Sequence, residues 1–256
     1  MTTTPRRSEI MALAAAREIR DGEVVFVGIG LPNLAVNLAQ RTHAPNVQMV
    51  YEAGVYGARP TRLPISIGDP CLVTNALQVL PMAETFMYYL QGGRVDVGFL
   101  GAAQVDRFGN LNTTIIGEDY RHPKVRLPGS GGAAEIAWLA NTTIVILPQS
   151  KEKFPETLDF VTSVGHHRGG TSRLDLGAPG SGPKRVITNM GVYGFDNDTR
   201  EMFLEKIHPG VDLEEIRKSV GWSLRVAEAL ATTELPTEEE LRLLREELDP
   251  KGLYLK

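Results

Sequence analysis

Glu23-Val24-Val25-Phe26-Val27-Gly28-Ile29-Gly30-Leu31-Pro32-Asn33 runs from an apolar, β-branched segment through two glycines to a proline. Val24 to Val27 have the composition of a buried strand, and Gly28 and Gly30 permit a tight turn. Pro32 suits the first turn of a helix, where its missing N–H would have no partner anyway. Leu34, Val36, Leu38 and Ala39 continue that helix, and Val47-Gln48-Met49-Val50-Tyr51 is a second strand. Strand, helix and strand in this order predict a parallel sheet covered by helices. The expected fold class is α/β: an open, mainly parallel sheet flanked by helices, with a mixed C-terminal lobe.

The second strand ends on a carboxylate. Glu52 is followed by Ala53 and Gly54, with Gly57 shortly after. Ligands of open α/β sheets collect beyond the carboxyl ends of the strands, so Glu52 is the first candidate for chemistry. An ionised carboxylate is a competent nucleophile toward an activated acyl group, with which it forms a mixed anhydride. On spacing alone the alternative stays open that Glu52 caps the turn or pairs with Arg59 or Arg62.

Further along, Ser8 to Arg20 and Met82 to Leu90 are expected helices, and Val95 to Leu100 and Leu111 to Ile116 expected strands. Asp106 to Asn110 has hairpin-turn chemistry. Gly129-Ser130-Gly131-Gly132 opens a helix from Ala133 to Ala140, followed by a strand from Thr142 to Leu147. Val164 to Pro183 is expected to be a long loop, since glycine, proline and histidine punctuate it. Strands follow at Arg185 to Thr188, Gly191 to Phe195 and Glu201 to Ile207, then helices near Asp212 to Val220 and Thr237 to Leu248.

The chain has 256 residues, of which 42% are hydrophobic, enough to bury a full core as one domain over residues 1–256. A net charge of -4 gives no electrostatic case for nucleic acid or an anionic membrane. The single Cys71 rules out an internal disulfide or a cysteine metal cluster within the chain, and its expected role is a small buried apolar group. The N-terminal segment from Met1 to Ser8 lacks the features of a secretory signal. No apolar run approaches the roughly 20 residues that span a bilayer. A cytoplasmic protein is expected.

Other motifs are less specific. Gly28-Ile29-Gly30 after a strand, with Glu52 downstream, has part of a dinucleotide-binding pattern, but Asn33 stands where a third glycine belongs. Gly129-Ser130-Gly131-Gly132-Ala133 offers backbone amides, unscreened by side chains, to an anion or a developing oxyanion; a loop that merely packs closely reads the same way. His122, His166 and His167 match no zinc spacing, and no metal site is expected.

Taken in order, several segments resemble one family. They are Gly28-Ile29-Gly30-Leu31-Pro32, Tyr51-Glu52-Ala53-Gly54, Ser66-Ile67-Gly68-Asp69, Gly101 to Asn112, His122-Pro123-Lys124 and Gly129-Ser130-Gly131-Gly132-Ala133. They are similar to the B (beta) subunit of family I coenzyme A transferases, nearest the glutaconate CoA-transferase branch. The resemblance implies an A subunit as partner, acyl-CoA and carboxylic acid substrates, and no cofactor, coenzyme A being a substrate. It implies that Glu52 attacks the thioester and carries CoA as a glutamyl thioester. Gly131, Gly132, Ala133 and Gly54 would hold the oxyanion or CoA, and Gln104 and Asn110 are candidate substrate contacts. One departure is Ala53, where the glutaconate branch has serine; this bears on the acceptor acid. The B subunit of a steroid ring-opening hydrolase and a glutaconyl-CoA-type decarboxylase share the resemblance, so hydrolase and lyase chemistry are the alternatives, and a non-catalytic acyl-CoA-sensing subunit is a third.

Overall fold

The computed structural model describes residues 4–255. Residues 1–3, the start of the N-terminal segment discussed above, and residue 256 lie outside the described residues. Helix α1 (Arg7–Ala16) leads into β1 (Val24–Val27), α2 (Leu31–Arg41) and β2 (Gln48–Tyr51). Two short strands, β3 (Val55–Tyr56) and β4 (Gln78–Val79), precede α3 (Met82–Glu84), which continues as a π turn over Thr85–Leu90. Then come β5 (Val97–Leu100), a hairpin of β6 (Gln104–Val105) and β7 (Leu111–Asn112), and a ribbon of β8 (Ile115–Ile116) and β9 (Val125–Arg126). Helix α4 (Ala133–Leu139), β10 (Thr142–Ile146) and the short α5 (Ser172–Asp175) lead to β11 (Pro183–Ile187), β12 (Gly191–Phe195) and β13 (Met202–Ile207). The chain closes with α6 (Leu213–Lys218), β14 (Arg225–Thr232) and α7 (Glu238–Arg242), which passes into a π turn at Leu243–Leu248.

One sheet runs through the molecule in the order β14-β13-β12-β11-β10-β5-β1-β2-β3-β4. Its centre, β11-β10-β5-β1-β2, is parallel throughout, with Val25 opposite both Val97 and Met49. The mixed C-terminal part continues the same sheet, β12 being antiparallel to its neighbours and β14 parallel to β13. Side chains alternate between the faces of a strand, and both faces here are covered. Val25, Val27, Met49, Tyr51, Val97 and Phe99 pack on the side of α1 and α2. Phe26, Val50, Leu100 and Val145 pack on the opposite side, with Ile136 of α4 and Ile216 of α6. Burial on both faces is why these strands read as unbroken apolar runs.

Three expectations need correction. Leu111 to Ile116 is two strands with different partners, because Asn112 turns inward and its Nδ2 donates to Gln104 Oε1 (2.7 Å) and to the Ile115 carbonyl (2.6 Å). The stretch from Val164 to Pro183 contains a turn of helix, α5, built around a buried arginine, Arg173. Cys71 is only partly buried, in the 3₁₀ turn Pro70–Val73 capped by Asp69.

The two ends of the chain are clasped. Glu9 of α1 has no exposed side-chain surface and accepts from Arg6 (2.9 Å) and Arg245 (2.7 Å). Burial alone would raise its pKa, but the hydrogen bonds from Arg245 and Arg6 overcome that and hold it at about 2. Two buried histidines behave differently. Burial lowers His166 and His208 to about 4. His208 Nε2 lies 2.7 Å from the Thr188 carbonyl and Nδ1 2.8 Å from Thr233 Oγ1, so the neutral ring is already hydrogen-bonded at both nitrogens. Below the unfolded histidine pKa near 6.5 the unfolded chain takes up protons that the native state refuses. Stability is therefore complete above pH 6.5 and falls as the pH drops toward 4, by about 3 kcal/mol per histidine. The thermal midpoint should decline through this window, and His208→Asn should flatten the slope. A midpoint constant from pH 7 to pH 4 would contradict this.

Candidate functional site

Glu52 directly follows β2, and the β2–β3 hairpin fixes it. Tyr51 pairs with Val55, so Glu52, Ala53 and Gly54 form a three-residue loop, closed by the Gly54 N–H donating to the Tyr51 carbonyl (2.9 Å). Such loops need a left-handed residue last. Gly54 has φ 102°, and a Cβ there would overlap the Leu80 carbonyl oxygen. Its N–H is thus spent on the turn, and Gly54 positions Glu52 rather than facing a ligand.

Beneath the glutamate, Tyr51 points to the α2 side of the sheet. Its hydroxyl donates to Asn33 Oδ1 (2.7 Å), which also accepts from Asn37 Nδ2 (2.7 Å). This accounts for asparagine at the position a dinucleotide loop would give to glycine. Asn33 joins helix α2 to the strand that carries Glu52.

The competing ion-pair assignment fails on geometry. Arg59 Nη2 donates to the Pro45 carbonyl (2.8 Å), and both Arg62 terminal nitrogens go to Asp69 (2.7 and 2.8 Å). Among the described residues no side chain pairs with Glu52 and no group donates a hydrogen bond to its carboxylate. The carboxylate is partly buried.

Against it lies the glycine loop. A Cβ at Gly131 would stand 3.8 and 3.9 Å from the two Glu52 carboxylate oxygens, and one at Gly132 only 3.6 Å from Glu52 Cδ. Neither Gly131 nor Gly132 donates its N–H to another described residue. The Ala133 N–H donates to the Ser130 carbonyl (2.8 Å), so of the three expected oxyanion donors only the two glycines have amides to spare. Helix α4, which begins after Gly132, lies close on β5: a Cβ at Gly98 would overlap the Ile136 side chain. Only glycine at 98 lets the helix sit this low and bring its leading loop to Glu52.

Gln104 and Asn110 do not reach this place free. Gln104 Oε1 accepts from Asn112 (2.7 Å) and the Asp159 amide (3.2 Å), while its Nε2 donates to Asp159 (3.2 Å). Asn110 Nδ2 donates to Asp106 and to the His167 carbonyl (both 2.8 Å), and its Oδ1 accepts from the Gly165 N–H (2.8 Å). Both are buried and fully engaged in holding the β6–β7 hairpin. Their assignment as substrate contacts is withdrawn; the turn chemistry noted in the sequence is what they serve. Among the described residues no group of three or more histidine, cysteine or acidic side chains could hold a metal ion. No described helix is long and apolar enough to cross a membrane.

One neighbour of the site was not singled out from the sequence. Phe86, on the π turn, has its ring edge where a Cβ at Gly132 would meet it, at 2.5 Å. Its centroid is 5.4 Å from that of Phe26. The run from Met82 to Leu90 carries no periodic signal that separates this side chain from its neighbours.

Known proteins resemble this chain over nearly its full length. The family model for coenzyme A transferase matches residues 8–219. The B subunit of the 3-oxoadipate CoA-transferase of Pseudomonas knackmussii is 52% identical, over 93% of this chain and 91% of that protein. The solved glutaconate coenzyme A-transferase of Acidaminococcus fermentans superposes with a TM-score of 0.92 at 34% identity, over 100% of this chain and 99% of that one. The cholesterol ring-cleaving hydrolase IpdB subunit of Mycobacterium tuberculosis is 28% identical, over 96% of both chains.

Proposed function

The chain belongs to the coenzyme A transferase family, and from that premise we propose that it is the B subunit of an acyl-CoA:carboxylate CoA-transferase working through a glutamyl-CoA thioester on Glu52. The observation that carries this reading is a carboxylate at a strand end, with no counter-ion among the described residues, against two glycines whose N–H groups have no described partner. A carboxylate meant to act as a nucleophile must be ionised, held still and not already neutralised by an arginine. Glu52 stands at the end of a paired strand and has no arginine partner among the described residues.

The proposed reaction has two reversible steps on each side of the thioester. A Glu52 oxygen attacks the thioester carbonyl, and the Gly131 and Gly132 amides stabilise the oxyanion that forms. The C–S bond breaks, leaving an acyl-glutamyl anhydride and CoA thiolate. The thiolate then attacks Glu52 Cδ, the donor acid leaves as its carboxylate, and the glutamyl-CoA thioester remains. An acceptor carboxylate reverses the two steps and departs as the new acyl-CoA. We take the acceptor to be a 3-oxo dicarboxylic acid of the 3-oxoadipate kind, on the strength of the 52% relative. Hydrolysis, as named for the 28% relative, has the weaker similarity.

A partner completes the site. Val79 on the edge strand β4 is 63% exposed, and Leu77, Met87 and Tyr88 beside it are 69, 58 and 60% exposed. This apolar strip lies next to the hairpin that carries Glu52, and we assign it to contact with an A subunit.

The test is to incubate the complex of both subunits with succinyl-CoA and digest it with trypsin. The peptide Thr42–Arg62 should gain the mass of CoA less one water. An unmodified peptide, under conditions where exchange is demonstrably running, would refute the covalent mechanism.

A further inference from the structure

We propose that Phe86 sets the partition between transfer and hydrolysis, by walling Glu52 Cδ off from water while it is activated. The inference rests on the reading of Glu52 as the nucleophile. Both covalent intermediates place an electrophilic carbonyl at Cδ, and water is always the more abundant acceptor. A transferase on this fold must therefore keep water from that carbon until a thiolate or carboxylate arrives.

Three observations converge on Phe86. A single α-carbon, that of Gly132, has the Phe86 ring edge and Glu52 Cδ both within reach of one added methyl, at 2.5 and 3.6 Å. The ring packs against that of Phe26, at 5.4 Å between centroids and an interplanar angle of 54°. In its own π turn the core is filled by Thr85 and Leu90, while Phe86 stays only partly buried. The ring packs against the core cluster that contains Phe26 but is not enclosed by it as Phe26 is, at 1% exposed. An aromatic ring left partly open beside a carboxylate carbon is placed as a screen.

Removing the screen opens one balanced reaction. Water adds to Cδ of the glutamyl thioester, the Cδ–S bond breaks, the sulfur leaves as CoA thiol, and Glu52 returns as a carboxylate with release of one proton. The experiment forms the thioester on the complete two-subunit enzyme with succinyl-CoA, removes free substrate, and follows release of free CoA without any acceptor acid. In Phe86→Ala this release should quicken by about tenfold or more, equal to about 1.4 kcal/mol of barrier. Phe86→Leu, which keeps an apolar wall, should stay close to the wild type. If Phe86→Ala does not assemble, Phe86→Val, whose side chain is shorter than leucine and stops short of the space the ring fills, carries the same expectation. A thioester that forms normally and decays at the wild-type rate in the Ala or Val variant overturns the proposal. Failure of the wild-type enzyme to form the adduct instead overturns the nucleophile reading, so the two are told apart.

Discussion

Glu52→Gln in the complete two-subunit enzyme is expected to abolish CoA exchange, with a fall in kcat of at least about 10³-fold and no change in assembly. The amide is nearly the same size, and the carboxylate has no hydrogen-bonding partner among the described residues to lose, so the fold has little reason to respond. What disappears is the anionic oxygen that opens the thioester. A general acid or a merely electrostatic carboxylate would leave a substantial residual rate, typically within 10²–10⁴ of the wild type. The discriminating measurement is therefore paired: exchange rate together with the CoA adduct on Thr42–Arg62. Loss of both is the expected result. Exchange at the wild-type rate in Glu52→Gln would end the proposal.

Arg173→Met is expected to be severely destabilising. Arg173 is 3% exposed and has no carboxylate partner among the described residues. Its five N–H groups go to five carbonyls: Gly180 (2.9 Å), Val164 (3.0 Å), Gly165 (2.8 Å), Ala137 (2.9 Å) and Trp138 (3.1 Å). The guanidinium also sits 5.4 Å from the centre of the Trp138 ring. Two effects oppose each other. Burying a cation is unfavourable, which is why burial lowers its pKa to about 10, and relieving that would return about 3 kcal/mol. Stranding five buried acceptors costs about 1–3 kcal/mol each where water cannot reach them. The second effect wins, leaving a net loss of at least about 2 kcal/mol. For a chain of this length that is a drop in the thermal midpoint on the order of 10 °C. Arg173→Lys, with three donors instead of five, should fall between. A midpoint for Arg173→Met within about 2 °C of the wild type, less than 1 kcal/mol at this size, would mean that the carbonyls find other donors.

The same arginine shows why part of the fold escaped the sequence. Between Val164 and Pro183 the composition is that of a loop, and nothing local distinguishes Arg173 from a solvated surface arginine. Its role depends on carbonyls from α4 and from the loop itself meeting at one point. Strand β14 escaped for a related reason. Arg225-Val226-Ala227-Glu228-Ala229-Leu230-Ala231-Thr232 is rich in residues that favour helix, and only pairing with β13 makes it extended. By contrast, β1, α2, β2, β5, β10 and β12 were legible because each is buried on one stripe or two faces, and burial writes a period into the residues.

The candidate site divides along the same line. Glu52 and the Gly131-Gly132 pair could be named from the chain, because a charge at the end of an apolar strand and a run of glycines before a helix are both locally conspicuous. Gln104 and Asn110 were misassigned since a polar side chain in a motif looks the same whether it faces a ligand or closes a hairpin. Phe86 was invisible, being one aromatic among several in an apolar strip.

Alone, the sequence determined the α/β architecture, the strand that presents a carboxylate and the glycine loop able to receive an anion, since these are properties of local pattern and backbone freedom. The tertiary structure alone decided that the carboxylate has no arginine partner among the described residues, that Gly131 and Gly132 lie against it and that the Phe86 ring meets the same glycine. Those are relations between segments far apart in the chain, created by how closely α4 seats on Gly98 and how the β2–β3 hairpin turns, and no residue carries them by itself.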